Sequence, residues 1–362
     1  MNVHDLHADL VRFPSLSHQE AEIADFVEAT LRGVAGLEVG RLDHNVWASL
    51  GDGEDVLLLC SHLDVVPPSA DHPYPPFEPT VVDGKVYGRG AVDAKASGSS
   101  MLCALVELAE SGWRPPAGGR VVVALTACEE TGRGYNGMEH CRDALFGHAL
   151  PDVSAALVGE PTELRPCLAQ KGLLILTATA HGTTAHAARS HLGDNALTRA
   201  ARDLVALDGF TFPQLDPLLG RPTATATIIE GGTAKNVVPD RCTFTLDVRS
   251  TPAATHAELT ATVADLLDSE VEVYSDRLVP CSTPADARVA QATVAALGEL
   301  AMDAEPFGSP TASDWVFLAD VPAVKIGPGR SELSHTPDEH VESRQLDAAV
   351  RVYAGVARRY FA

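Results

Sequence analysis

Val56-Leu57-Leu58-Leu59-Cys60-Ser61-His62-Leu63-Asp64 sets five consecutive apolar residues, then a serine, before a histidine and a carboxylate. An apolar run without polar alternation is the pattern of a strand buried on both faces, as in a parallel sheet covered by helices. The pattern recurs. Val121-Val122-Val123-Ala124-Leu125 runs into Glu129-Glu130, and Ala155-Ala156-Leu157-Val158 runs into Gly159-Glu160. Functional groups of such sheets gather beyond the carboxyl ends of the strands, so His62, Glu129 and Glu160 are expected in one place.

Outward from these strands, helical and strand periods alternate. His18 to Arg32 sets Ile23, Phe26, Val27 and Leu31 on one helical face, and Ser97 to Glu110 reads as a second helix. Residues 81–88 read as a hairpin about Asp83-Gly84. The fold class expected is α/β, with a mostly parallel sheet. The middle of the chain differs. Strands at 172–181, 223–230, 241–249 and 271–274, with helices at 194–207 and 255–267, give the order βαββαβ of a ferredoxin-like sandwich. Residues 173–281 are therefore expected as an inserted domain, with 1–172 and 282–362 forming the surrounding one. The latter resumes with a helix at 286–301, a loop at 306–313, a strand near 322–326 and a closing helix at 343–360.

Of the 362 residues, 45% are hydrophobic, enough for a sizeable core, and no apolar run approaches the roughly 20 residues of a membrane span. A formal charge of −22 argues against nucleic acid or an anionic membrane surface as partner. The first residues, Met1-Asn2-Val3-His4-Asp5, are polar and acidic, unlike a secretory signal. Seven dispersed cysteines, none in a C-x-x-C pair, read as reduced core residues of a cytoplasmic protein.

The chemistry lies in the acidic segments. Ser61-His62-Leu63-Asp64, Gly90-Ala91-Val92-Asp93, Glu129-Glu130, Gly159-Glu160-Pro161-Thr162 and Ser334-His335-Thr336-Pro337-Asp338-Glu339 supply imidazoles and carboxylates at predicted strand ends and turns. Paired carboxylates beside an apolar strand are costly unless a cation or protons neutralise them. Two metals close together need a shared ligand, an imidazole and a carboxylate each, and a general base. The segments hold that number of groups, which points to a metal-dependent hydrolase. Asp64, two residues past His62, is placed to orient a ligating imidazole.

These segments, with Tyr87-Gly88-Arg89-Gly90 and Cys128-Glu129-Glu130, resemble the di-zinc aminoacylase and exopeptidase superfamily in order and along the whole chain. That superfamily includes acetylornithine deacetylase, succinyl-diaminopimelate desuccinylase, aminoacylase and glutamate carboxypeptidases. The resemblance implies two zinc ions per chain, with cobalt or manganese as substitutes. It implies His62 and Glu160 on one, Glu130 and His335 on the other, and Asp93 bridging both. It further implies Glu129 as general base, Asp64 as orienter of His62, and a ferredoxin-like lid through which two chains form a homodimer. Within the lid, His181-Gly182-Thr183-Thr184-Ala185-His186 resembles the segment whose second histidine polarises the substrate carbonyl. Asn236-Val237-Val238-Pro239 and Asp247-Val248-Arg249 resemble substrate-binding strands, with Asn236 and Arg249 as the binding residues.

The chain departs from that pattern at Ser61, at Ala94-Lys95-Ala96 and at Ala185, none of them a ligand. Gly308-Ser309-Pro310-Thr311-Ala312-Ser313-Asp314 and Lys325-Ile326-Gly327-Pro328-Gly329-Arg330 resemble acetylornithine deacetylase-like deacylases. The resemblance therefore implies removal of an acetyl group from an N-acyl amino acid such as N-acetylornithine, in arginine biosynthesis. The alternative is a succinyl-diaminopimelate desuccinylase of lysine biosynthesis, or a metallo-exopeptidase.

Overall fold

The computed structural model describes residues 1–131 and 134–362. The chain divides into two units. One comprises Met1–Leu168, Thr283–Phe307 and Ser313–Ala362; the other comprises Ala169–Ser282 and Gly308–Ala312.

In the first unit the strand Asp55–His62 lies inside the sheet, buried from Val56 onward. Gly119–Thr126 and Val153–Val158 flank it in parallel, and Ala323–Lys325 extends the parallel run beyond Val153–Val158. On the other side the hairpin Glu38–Leu42 and Asn45–Gly51 adds two antiparallel strands. The register sets His62 opposite Thr126 and Cys60 opposite Val158, so three strands release their chains at one edge. The expected α/β class with a mostly parallel sheet is what the chain forms.

Helix Lys95–Glu110 is buried along nearly its whole length. The small residues Ser97-Gly98-Ser99-Ser100 let its backbone approach the sheet: a Cβ on Gly98 would lie 3.3 Å from Leu125. Ser343–Tyr360 also buries one face in this core, which continues through Leu346, Val352 and Tyr353. The hairpin turns at Asp83 and Gly84, whose φ values of 50° and 75° are those of a type I′ turn. The N-terminal helix Val3–Val11, capped by the Asn2 side chain, and the strand pair 38–51 carry no counterpart in the sequence reading.

The second unit forms a four-stranded antiparallel sheet in the order Thr223–Gly231, Arg241–Ser250, Gly172–His181, Glu270–Leu278. With helices Ala196–Asp208 and His256–Leu266 this is the βαββαβ order with ferredoxin-like strand placement. Alternation along the two central strands buries Leu174, Leu176, Ala178 and Ala180 with Phe244, Leu246 and Val248, and the helices add Ala200, Leu259 and Val263. Both helices start later than their periodicity predicts, because Asn195 and Thr255 cap them instead of joining them. Thr255 and Glu258 make a full capping box. Among the described residues no helix is long and apolar enough to cross a membrane.

His7, fully buried on the Val3–Val11 helix, donates from Nε2 to the Ala91 carbonyl at 2.8 Å. Burial lowers its pKa to about 4, against a weaker opposing effect of that hydrogen bond. The folded state therefore holds His7 neutral while the unfolded chain takes a proton below about 6.5. Its contribution is complete above that pH and is lost as pH falls toward 4. His7→Met should flatten the pH dependence of unfolding free energy between pH 6.5 and 4 by about 3 kcal/mol, measured by denaturant titration.

Candidate metal centre

His62 ends its strand and is almost wholly buried. Its Nδ1 donates to the Asp64 carbonyl oxygen at 2.9 Å, which turns Nε2 toward Asp93 Oδ1 at 3.3 Å and Glu160 Oε1 at 3.9 Å. Burial alone would lower the pKa of His62. Hydrogen bonds with Asp64 and Asp93 and the charge of Glu129 outweigh it and raise the value well above 6.5. Surroundings that draw a proton to Nε2 also draw a metal cation.

Asp64 is fully buried and organises what surrounds it. Its two oxygens accept the backbone N–H of Glu129 at 3.0 Å, that of Glu130 at 3.1 Å, and the Ser17 hydroxyl at 2.7 Å. Burial pushes Asp64 up, but the His62 hydrogen bond and charge, Ser17 and the Glu129 N–H hold it below the ordinary value. Just before, Cys128 turns the chain with a φ of 59° and gives its N–H to Glu20 Oε1 at 3.0 Å. Three successive N–H groups thus end on two buried carboxylates, and the Glu129-Glu130 pair is fixed by its backbone.

Asp93 sits in the loop before helix Lys95–Glu110. Its Oδ1 faces His62, and its Oδ2 faces His335 Nε2 at 3.5 Å. One carboxylate therefore lies between two imidazoles, the placement a bridging ligand requires. His335 Nε2 is also 3.0 Å from Glu130 Oε1. Ligand atoms of His62, Asp93 and Glu130 lie within 4.8 Å of one another. Glu160 joins on the His62 side and His335 on the Glu130 side.

The charge balance says what this arrangement accepts. Burial, then the Asp93 charge, pushes Glu160 up to about 8, against His62 and Lys325. Burial raises Glu130 as well. Glu129 is driven well above the usual carboxylate range by burial and by Glu160, Asp314 and Glu130, with His62 opposing. Four carboxylates packed with two imidazoles lack positive charge, and a donor set of imidazole nitrogens and carboxylate oxygens suits zinc and its first-row neighbours. The residues present fit divalent metal.

Two buried carboxylates near the centre carry no role in the sequence analysis, although both lie in segments quoted there. Asp314, buried, accepts from Asn136 Nδ2 at 2.8 Å and Thr126 Oγ1 at 3.1 Å, and burial raises it to about 6. In the sequence it stands only as the last residue of the deacylase-like segment 308–314, with no role of its own. Glu339 pairs with Arg89 in the interior, and burial pushes it up to about 7. The buried charge of neither could be seen without knowing what packs over it.

In the second unit, the short strand Ala185–His186 pairs with Val237–Val238, His186 opposite Val237. The Asn236 carbonyl accepts the Ala187 N–H at 2.9 Å, so the His186 and Asn236 segments lie side by side. His186 is exposed; its Nδ1 accepts from the Ala188 N–H at 3.1 Å, which leaves the proton of the neutral ring on Nε2. Arg249 makes a two-pronged ion pair with Asp247 at 2.8 and 3.1 Å.

Comparison with known proteins adds four findings. The profile of peptidase family M20/M25/M40 matches residues 58–359. A succinyl-diaminopimelate desuccinylase of Rhodospirillum centenum is 31% identical over 379 aligned positions, covering 99% of this chain and 97% of the relative. Aminopeptidase PepT from Bacillus cereus superposes with a TM-score of 0.80 at 22% identity, over 99% of this chain and 98% of that one. YXEP of Bacillus subtilis, described as a dinuclear metal binding peptidase of the M20 family, superposes at 0.73 with 17% identity, over 98% and 96%. At these identities the two structures speak for the fold alone. The curated relative carries the name of the alternative activity read from the sequence, not that of the acetylornithine deacetylase favoured there.

Proposed function

Because the chain belongs to peptidase family M20/M25/M40, we propose that this hydrolase cleaves the amide of an N-succinyl amino acid, N-succinyl-diaminopimelate being the reference substrate. The observation that carries the choice of acyl group is the desuccinylase relative aligned over 99% of the chain. It supports a succinyl group over the acetyl group that the C-terminal segments suggest.

His62 and Glu160 would hold one divalent metal and Glu130 and His335 a second, with Asp93 available to both, zinc being the first choice and cobalt or manganese substitutes. When bound, such ions supply Lewis acidity and lower the pKa of water. Asp64 keeps His62 turned with Nε2 inward and anchors the backbone of Glu129. Glu129 takes a proton from the attacking water and returns it to the leaving amine, a task suited to a buried carboxyl with a raised pKa. The Nε2–H of His186 donates to the acyl oxygen as it gains charge. Arg249 exchanges Asp247 for a substrate carboxylate, and Asn236 adds a hydrogen bond. The products are succinate and the free amino acid.

We further propose that the second unit acts as a lid and joins two chains. Support comes from the edge strand Thr223–Gly231, which is exposed along most of its length and presents Ile228 and Ile229 to solvent. Such an edge is a template for pairing with another copy.

Three outcomes are expected. Among N-succinyl-diaminopimelate, N-acetylornithine, N-acetylcitrulline and a dipeptide, kcat/KM should be highest for the succinyl compound. A higher value for N-acetylornithine would return the reading to a deacetylase, and one for the dipeptide to an exopeptidase. Glu129→Gln should retain two metals per chain by elemental analysis while kcat falls about 10²- to 10⁴-fold; near-normal kcat would move the base elsewhere. Finally, if His186 serves the partner's site, mixing inactive Glu129→Ala and His186→Ala chains should restore part of the activity. No recovery after confirmed subunit exchange would confine His186 to its own chain.

A further inference from the structure

Arg89 and Glu339 are each about 1% exposed on their side chains and form an ion pair inside the first unit. Both lie outside the set of ligands and base, yet they touch its two loop-borne members from behind. Glu339 Oε1 accepts the backbone N–H groups of Val92 and of Asp93, each at 3.1 Å. The guanidinium reaches the His335 carbonyl from Nη2 at 3.4 Å. The segment is pinned at its start too: the Arg89 N–H bonds the Pro76 carbonyl at 2.7 Å, and the Gly88 N–H bonds the Glu339 carbonyl at 3.2 Å. His335 itself has a φ of 65°, a left-handed conformation that persists only where surroundings hold it.

Different parts of the centre are held in different ways. His62 ends a strand, and Glu160 follows the end of another two residues on. Glu130 is anchored through its N–H to Asp64. Asp93 and His335 stand on irregular loops, and the Arg89–Glu339 pair bonds the backbone of both. The pair is neutral as a unit, so what it contributes to a cationic centre is placement, without added charge. Neither partner is tolerable alone, since a buried charge without its counter-ion is strongly unfavourable.

We infer that Arg89 and Glu339 form a latch of positioning residues that sets Asp93 and His335 for the metal held with Glu130. Because Asp93 faces both His62 and His335, both metals depend on the latch, and the one held with Glu130 and His335 depends on it more, since the Arg89 arm bonds the His335 carbonyl as well. This inference rests on the reading of those five side chains as metal ligands. The test is equilibrium titration of the chelator-stripped full chain with cobalt, followed by visible absorption and by chelator competition. Wild type, Glu339→Gln and Leu297→Ala are compared; Leu297 is a buried core residue that serves as a control for general destabilisation. Wild type should bind cobalt in two steps. Glu339→Gln should weaken both steps unequally, one by about 10- to 100-fold with a changed absorption spectrum for that step, and the other by clearly less. Leu297→Ala should leave both steps as in wild type. Should Glu339→Gln fail to fold, Arg89→Lys carries the same test, because it keeps the charge and loses the arm to the His335 carbonyl. Equal affinities in the folded variant and wild type would overturn the latch, as would equal weakening of both steps. Failure of wild type to bind two metals would instead overturn the reading of the centre.

Discussion

The carboxylate of Asp64 is the point on which the centre turns. It is fully buried, and it accepts the N–H groups of Glu129 and Glu130 together with the Ser17 hydroxyl, while its own carbonyl fixes the imidazole of His62. A buried carboxylate keeps its charge only when such donors surround it. Here two of the donors are the backbone N–H groups of the Glu129-Glu130 pair itself. The interaction that stabilises Asp64 is thus the one that aims His62 and the glutamate pair.

That arrangement depends on the order of strands. Asp55–His62 lies between Gly119–Thr126 and Val153–Val158, all parallel, so the chain leaves all three at the same edge. Polar residues that follow buried strands converge there, from segments far apart in the chain. Their convergence creates an excess of buried negative charge, visible in the raised pKa values of Glu160, Glu130 and Glu129. A sheet edge so loaded suits cations, and the chain belongs to peptidase family M20/M25/M40.

The second unit has a core of its own, built from one face of a four-stranded sheet and two capped helices. Its period-2 alternation made it the most legible part of the chain, since one buried face forces every second residue to be apolar. Its helix starts were less so, because a capping residue sits where periodicity alone would place the first turn. The strand pair 38–51 went unread: Glu38–Leu42 is only partly buried and its apolar pattern is weak.

Composition and local pattern determined the class of the fold, the buried strands, the two helices of the inserted sheet and the residues that gather at the sheet edge. These follow from short-range rules: an apolar run buries itself, and a polar residue after it must lie at the end of a strand. Tertiary structure alone decided what each polar group meets. It gave Asp93 an imidazole on either side and left Arg249 paired with Asp247. It buried Asp314 against Thr126 and Asn136 and locked Arg89 to Glu339, whose Oε1 accepts the Asp93 N–H. No local pattern carries that information, because the charge a side chain feels depends on neighbours brought near by packing, not on neighbours in the chain.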